Sequence, residues 1–285
     1  MRAENLWVKT KPKMTDDYFP RGKDLPRQSP LFWVTHKDRY LRQLLIRDIQ
    51  AETKRDLVVY FTDTDRTDAQ IDPGDDQYLL ELLNGRKRAE TDLLLETNGG
   101  YTDPTEKICA LLRQLAPDLR VIVPRRAKSN GTVIALCGRE ILMSPSSELG
   151  PIDPHLGGTP VQFLINAPPD PLTAQVAQTF QLQTNKLATH LLKTGMMAGK
   201  TDAEVEAVVQ KLATRDHYHS HGSVIDMGEA EALGLNVVKH SAEEALWSKF
   251  WLLRTMYAYD CGRNGHAKVF EGELVSSAVT VQRHT

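Results

Sequence analysis

Short unbroken apolar runs alternate along the chain with stretches in which apolar side chains recur every three or four positions. Leu57-Val58-Val59-Tyr60-Phe61, Leu93-Leu94-Leu95, Val121-Ile122-Val123 and Ile141-Leu142-Met143 are such runs. They read as strands buried on both faces of a parallel sheet. Leu41, Leu44, Leu45 and Ile49 share a helical face before the first strand, and a helix over Tyr78 to Asn84 precedes the second. Ile108, Leu111, Leu112 and Leu115 form the next face, and Thr132 to Cys137 starts a helix of small residues. Strand and helix in alternation, joined by short connections, predict right-handed parallel crossovers. Beyond Pro154 the pattern predicts helices over 171–193 and 202–213, then a helix end and strand over 230–238. A last helix carries Leu246, Phe250, Leu253 and Tyr257, and the tail past Gly262 has little helical patterning. This divides the chain into an arm over 1–36, an α/β domain over 37–241, and a C-terminal helix and tail over 242–285.

Composition narrows the class without changing this picture. The 285 residues are 41% hydrophobic and 25% charged, with a formal net charge of -2. Such a chain is globular, and it lacks the basic field of a nucleic-acid binder. The first fifty residues hold eleven Lys/Arg against six Asp/Glu, a local excess read as an arm packed on the domain or on a neighbouring subunit. No apolar run has the length of a membrane span, and no secretory signal opens the chain. Three separated cysteines, Cys109, Cys137 and Cys261, make neither a disulfide framework nor a closed zinc site. The expected protein is soluble, reduced and cytoplasmic. The Asp-rich stretch from Asp63 to Asp76 lacks calcium-loop spacing and reads as a solvated loop.

Two turns carry the candidate chemistry. Thr97-Asn98-Gly99-Gly100 follows the second strand, where paired glycines let the backbone turn sharply and face its N–H groups toward a pocket. Ser129-Asn130-Gly131-Thr132 follows the third strand and opens a helix. A serine so placed is presented beside free N–H groups that stabilise an oxyanion. Taken alone, it is more often only a helix cap.

The run Arg126-Ala127-Lys128-Ser129-Asn130-Gly131-Thr132-Val133, then Glu148-Leu149-Gly150-Pro151-Ile152-Asp153-Pro154, resembles the serine dehydrogenase proteinase family. That family has a Ser-Ala-Gly-Thr motif and a Leu-Gly-Pro-(Ile/Val)-Asp-Pro motif at this separation, and Thr97-Asn98-Gly99-Gly100 matches its Thr-Pro-Gly-Gly turn. The resemblance extends from about Arg39 to Val238. It implies a crotonase-like (Clp protease-like) α/β fold, a parallel sheet with flanking helices, to which the sequence adds a helical C-terminal extension. It implies a serine peptidase of the class that includes signal peptide peptidase A and the Clp proteolytic subunit. Ser129 matches the nucleophile, and the N–H groups of Gly100 and Asn130 would form the oxyanion hole. Asn130 departs from the family's alanine.

Three residues compete as the base. Lys186 would form a serine–lysine dyad like that of the signal peptide peptidase relatives. His155 lies near the place of the Clp subunit's histidine. His221, in Ser220-His221-Gly222, matches a family Thr-His-Asp segment and falls near the Clp subunit's aspartate position. The two histidines are favoured equally, ahead of Lys186, because an imidazole titrates near neutrality. His217, His219 and His221 would share one face of a strand, but no fourth ligand accompanies them, so no metal is expected. Cys137 reads as a core residue.

The resulting expectation is hydrolysis of peptide bonds through a Ser129 acyl-enzyme, without a cofactor, on a peptide or protein substrate. A homo-oligomer is expected, with the arm and the aromatic last helix between subunits; no nucleic acid and no membrane span are. The alternatives are an acyl-CoA-processing crotonase homologue and a scaffold without turnover.

Overall fold

The computed structural model describes residues 29–280. Most of the N-terminal arm, residues 1–28, lies outside them. In chain order the elements are α1 (Pro30–Thr35), α2 (Lys37–Thr53), β1 (Asp56–Thr62), α3 (Asp75–Asn84), β2 (Glu90–Glu96), α4 (Thr102–Leu115), β3 (Asp118–Ile122), β4 (Arg126–Ala127), α5 (Asn130–Ala135), β5 (Glu140–Met143) and β6 (Glu148–Leu149). There follow β7 (His155–Leu156), β8 (Thr159–Pro160), α6 (Val161–Asn166), α7 (Pro171–Thr194), α8 (Asp202–Ala213), α9 (Met227–Ala232), β9 (Val237–Lys239), α10 (Ala245–Asn264), β10 (Lys268–Glu271) and β11 (Ser276–Val279).

Seven strands form the central sheet in the order β11-β10-β1-β2-β3-β5-β9. From β1 to β9 every pairing is parallel, while β10 and β11 join antiparallel at the β1 edge. Alternation along the strands builds two cores. Val58, Tyr60, Leu93, Leu95, Val121 and Ile141 face α3, α4, α5, α7 and α8. Leu57, Val59, Phe61, Leu94, Ile122 and Leu142 face α2 and α10. Both faces are covered, which is why these strands read as continuous apolar runs.

Three features differ from the sequence-based expectation. The C-terminal extension is helical only in α10; the tail beyond it supplies two strands of the main sheet. In addition, Trp247, Phe250 and Tyr257 of α10 are buried within this one chain rather than left for a subunit contact. An amphipathic helix can cover a sheet face without any neighbour, and α10 covers this one together with α2. The acidic stretch is also less solvated than expected. Asp75 is buried, accepting from Tyr60 Oη at 2.6 Å and pairing with Lys268 Nζ at 2.8 Å.

Buried ions tie the C-terminal elements to the sheet. Arg254 of α10 grips Glu96 through both carboxylate oxygens (2.7 and 2.5 Å), at the end of β2 just before the glycine turn. Arg42 of α2 grips Glu271 of β10 in the same way, at 2.8 and 3.0 Å. Bidentate geometry of this kind fixes register as well as charge.

Candidate active site

The site is assembled where β2 and β3 end. Thr97 N–H donates to the Arg126 carbonyl at 3.0 Å and Lys128 N–H to the Thr97 carbonyl at 2.9 Å. This short ladder draws the turn at Gly99-Gly100 against the turn at Ser129. The contact leaves no room for side chains: a Cβ on Gly99 would sit 2.8 Å from Ser129 Cβ, and one on Gly100 would sit 2.3 Å from Ile71 N. Glycine is required at both positions for that reason.

Ser129 has φ 53° and ψ -124°, a sparsely populated conformation for a residue with a Cβ. Its side chain makes no cap hydrogen bond to α5, so the helix-cap reading does not account for it. The residue instead lines a cavity of about 440 Å³, a size ordinary for a ligand site. The backbone N–H groups of Gly100 and Asn130 meet no acceptor among the described residues.

The second motif is fastened to the first by Thr132. Its hydroxyl donates to the Ala127 carbonyl at 2.7 Å and accepts from Gly150 N–H at 3.0 Å. Three residues on, Asp153 is buried at the cavity wall. A pair of backbone hydrogen bonds between Leu149 and Ile225 then brings the loop that carries His221 alongside. His221 Nδ1 donates to Asp153 Oδ1 at 2.6 Å, while Arg215 Nε donates to Asp153 Oδ2 at 2.8 Å. Burial alone would raise the Asp153 pKa, but the bonds and charges of His221 and Arg215 outweigh it and hold the carboxyl below its usual range.

The two histidines are therefore not equivalent, although their rings meet edge to face at 4.3 Å and both line the cavity with Ser129. His155 Nδ1 lies 3.1 Å from the Asp153 backbone carbonyl and must donate to it, leaving Nε2 to accept from Arg215 Nη2 at 2.9 Å. Its lone pair is occupied. Burial lowers its pKa, and so does the charge of His221 when that imidazole is protonated. In His221 the bond to Asp153 places the proton on Nδ1 and leaves Nε2 as an acceptor with no donor among the described residues. Lys186 is exposed on α7 and lies outside the cavity lining, which takes Phe180 and Thr184 from the same helix.

His217, His219 and His221 lie in turns, not on a strand, and diverge: His217 toward Glu229, His219 onto the Arg215 carbonyl, His221 onto Asp153. Asp153, His155 and His221 do bring possible ligand atoms within 4.8 Å of one another. The Arg215 guanidinium, however, already supplies positive charge to both Asp153 and His155. Sequence reasoning missed Asp153 and Arg215 as site residues. Asp153 stood in a motif already singled out, but nothing local marked its partner 68 residues away.

These pairings make stability acid-sensitive. The lowered His155 pKa means that the unfolded chain takes up a proton that the fold resists, so stability falls as pH drops below the unfolded value of about 6.5. The lowered Asp153 pKa adds stability that is present above about 3.9 and lost as pH falls through its folded value. Urea midpoints should decline from pH 7.5 to pH 5.5, and His155→Gln should flatten that decline.

Residues 77–248 match the model of the ClpP-like SDH-type serine proteinases. The chain belongs to that family, as the motifs implied, and its mainly parallel α/β fold is of the Clp-like class expected. Two curated relatives come from Methanocaldococcus jannaschii. Uncharacterized protein MJ0137 is 31% identical over 163 residues, 54% of this chain and 55% of that one. Uncharacterized protein MJ1495 is 36% identical over 76 residues, 27% and 26% of the respective chains. The chain thus spans about half the length of the first relative and about a quarter of the second. Among solved structures, a mutant of ClpP1 from Listeria monocytogenes aligns with a TM-score of 0.44 at 13% identity, covering 70% of this chain and 96% of that one. A mutant of the 1510-N membrane-bound stomatin-specific protease aligns with a TM-score of 0.41 at 21% identity, covering 62% and 76%. Among the described residues, no helix is long and apolar enough to cross a membrane.

Proposed function

We propose that this chain hydrolyses peptide bonds through an acyl-enzyme on Ser129. The observation that carries this is the His221–Asp153 hydrogen bond in the cavity that Ser129 also lines. In this reading His221 Nε2 takes the Ser129 Oγ proton as Oγ bonds to the scissile carbonyl carbon. The carbonyl electron pair moves onto oxygen, where the N–H groups of Gly100 and Asn130 receive it. Collapse of that intermediate breaks the C–N bond, and the His221 imidazolium returns the proton to the departing amine. Water, deprotonated by the same imidazole, then releases the acyl group. Asp153 keeps the proton on Nδ1 and stabilises the imidazolium; Arg215 holds the other carboxylate oxygen. The Ser129 hydroxyl makes no hydrogen bond to either imidazole among the described residues, so in this reading the contact forms when substrate binds.

A fluorophosphonate tests this reading, because only an activated serine takes the phosphonyl group. Labelling mapped by mass spectrometry to the Ser129 peptide supports the acyl-enzyme. A folded protein without labelling removes it and leaves the thioester-processing homologue or the scaffold. The partner expected from the sequence, a second copy of the chain, is part of the proposal. After the burial of the other aromatic residues of α10, the surface offered to it carries Trp251, Leu252 and Tyr259. A monomeric mass by light scattering would remove that part alone.

A further inference from the structure

The Asn130 side chain reaches across the site to the other half of the oxyanion hole. Its Nδ2 donates to the Gly100 carbonyl at 2.6 Å and lies 3.3 Å from Thr102 Oγ1. Gly100 is held from the opposite side by Ile71, whose N–H donates to the Gly99 carbonyl at 2.8 Å and whose carbonyl accepts from Tyr101 N–H at 3.0 Å. No peptide bond here is cis, and a trans peptide points its N–H opposite to its C=O. The Ile71 bond to the Gly99 carbonyl therefore turns the Gly100 N–H away from Ile71. The next peptide, Gly100–Tyr101, is stretched between Ile71 and the Asn130 carboxamide. The peptide that carries the Gly100 N–H is thus pinned by Ile71, and the peptide that follows it, which fixes the Gly100 ψ, by Ile71 and Asn130 together.

We infer that Asn130 is a positioning residue: its carboxamide locks the Gly100 N–H in register with its own backbone N–H, so that two donors thirty residues apart in sequence behave as one rigid hole. Preorganised donors are effective because they need no rearrangement as charge develops. Alanine, which the family resemblance places here, has no group to make the bond. In this chain a side chain adds to the backbone bonds that hold the turn. Asn130 is buried apart from the edge it presents to the cavity.

The clamp's kinetic effect presupposes the acyl-enzyme; the clamp itself does not. Asn130→Ala removes the amide, and Asn130→Leu removes it while keeping the volume, so that at least one folded variant is available. With a peptide substrate, kcat should fall about ten- to a hundredfold, less than the loss of a whole oxyanion donor, while KM stays within about twofold. Affinity for a peptide boronate, which mimics the tetrahedral intermediate, should fall with kcat. Hydrogen exchange of the segment 97–103 should quicken by about tenfold, with other core segments unchanged. An unchanged kcat in folded N130A and N130L, or unchanged exchange of that segment, overturns the assignment. If fluorophosphonate fails to label the wild-type protein, the acyl-enzyme reading falls separately. Exchange alone then decides the clamp: quicker exchange keeps it and unchanged exchange removes it.

Discussion

Ser129→Ala is expected to abolish peptide hydrolysis and fluorophosphonate labelling, with a loss of at least about a thousandfold, and to leave the fold intact. The size follows from the role, since no other hydroxyl at this turn can form the ester and residual rate then comes only from substrate binding and the oxyanion donors. Intactness follows from geometry. The Ser129 side chain makes no cap hydrogen bond, so the usual cost of removing a helix cap does not arise. Ser129→Gly should be equally inactive yet more stable. The residue sits at φ 53°, a conformation that costs a residue with a Cβ about 1–3 kcal/mol and glycine far less. Glycine's greater unfolded-state entropy takes back part of that, about 0.4–1 kcal/mol. Thermal melts of the three proteins test the pair of statements together. Full activity in well-folded S129A would remove Ser129 as nucleophile, and a lower melting temperature for S129G than for S129A would remove the strain.

The second large effect separates the three candidate bases. His221→Ala should lower turnover at least about a hundredfold, the scale of a lost general base. Asp153→Asn should come close to it, because an amide neither holds the proton on Nδ1 nor stabilises the imidazolium. His155→Gln should lower turnover less than about tenfold: its Nε2 is engaged by Arg215 and serves to place that guanidinium, not to take a proton. Lys186→Ala should leave the rate within about twofold, as expected of an exposed helical lysine outside the cavity lining. Steady-state rates of four folded variants on one peptide suffice. If His155→Gln is dead while His221→Ala retains near-normal turnover, the base is His155. If Lys186→Ala alone is dead, a serine–lysine dyad replaces both.

Much of the architecture was legible in the residues themselves. The strands β1, β2, β3 and β5 have apolar neighbours on both sides, so burial wrote them as unbroken runs that need no knowledge of the partner. The turns at Gly99-Gly100 and at Ser129 were legible for a different reason: close backbone approach and an unusual φ restrict which residue types fit. The strand β10 shows the opposite case. Lys268 and Glu271 are buried in it, and charge in a short segment argues locally for a surface tail. Only the fold brings Asp72 and Asp75 to Lys268, and Arg42 and Tyr257 to Glu271, neutralising those charges from positions up to 229 residues away. The same distinction governs the site. Local turn chemistry marked the turns at Gly100 and Ser129, and the family resemblance supplied the roles expected of them. Asp153, Arg215 and the inequivalence of His155 and His221 depend on which lone pairs are already taken. That is a property of side chains meeting across loops, and no spacing along the chain encodes it.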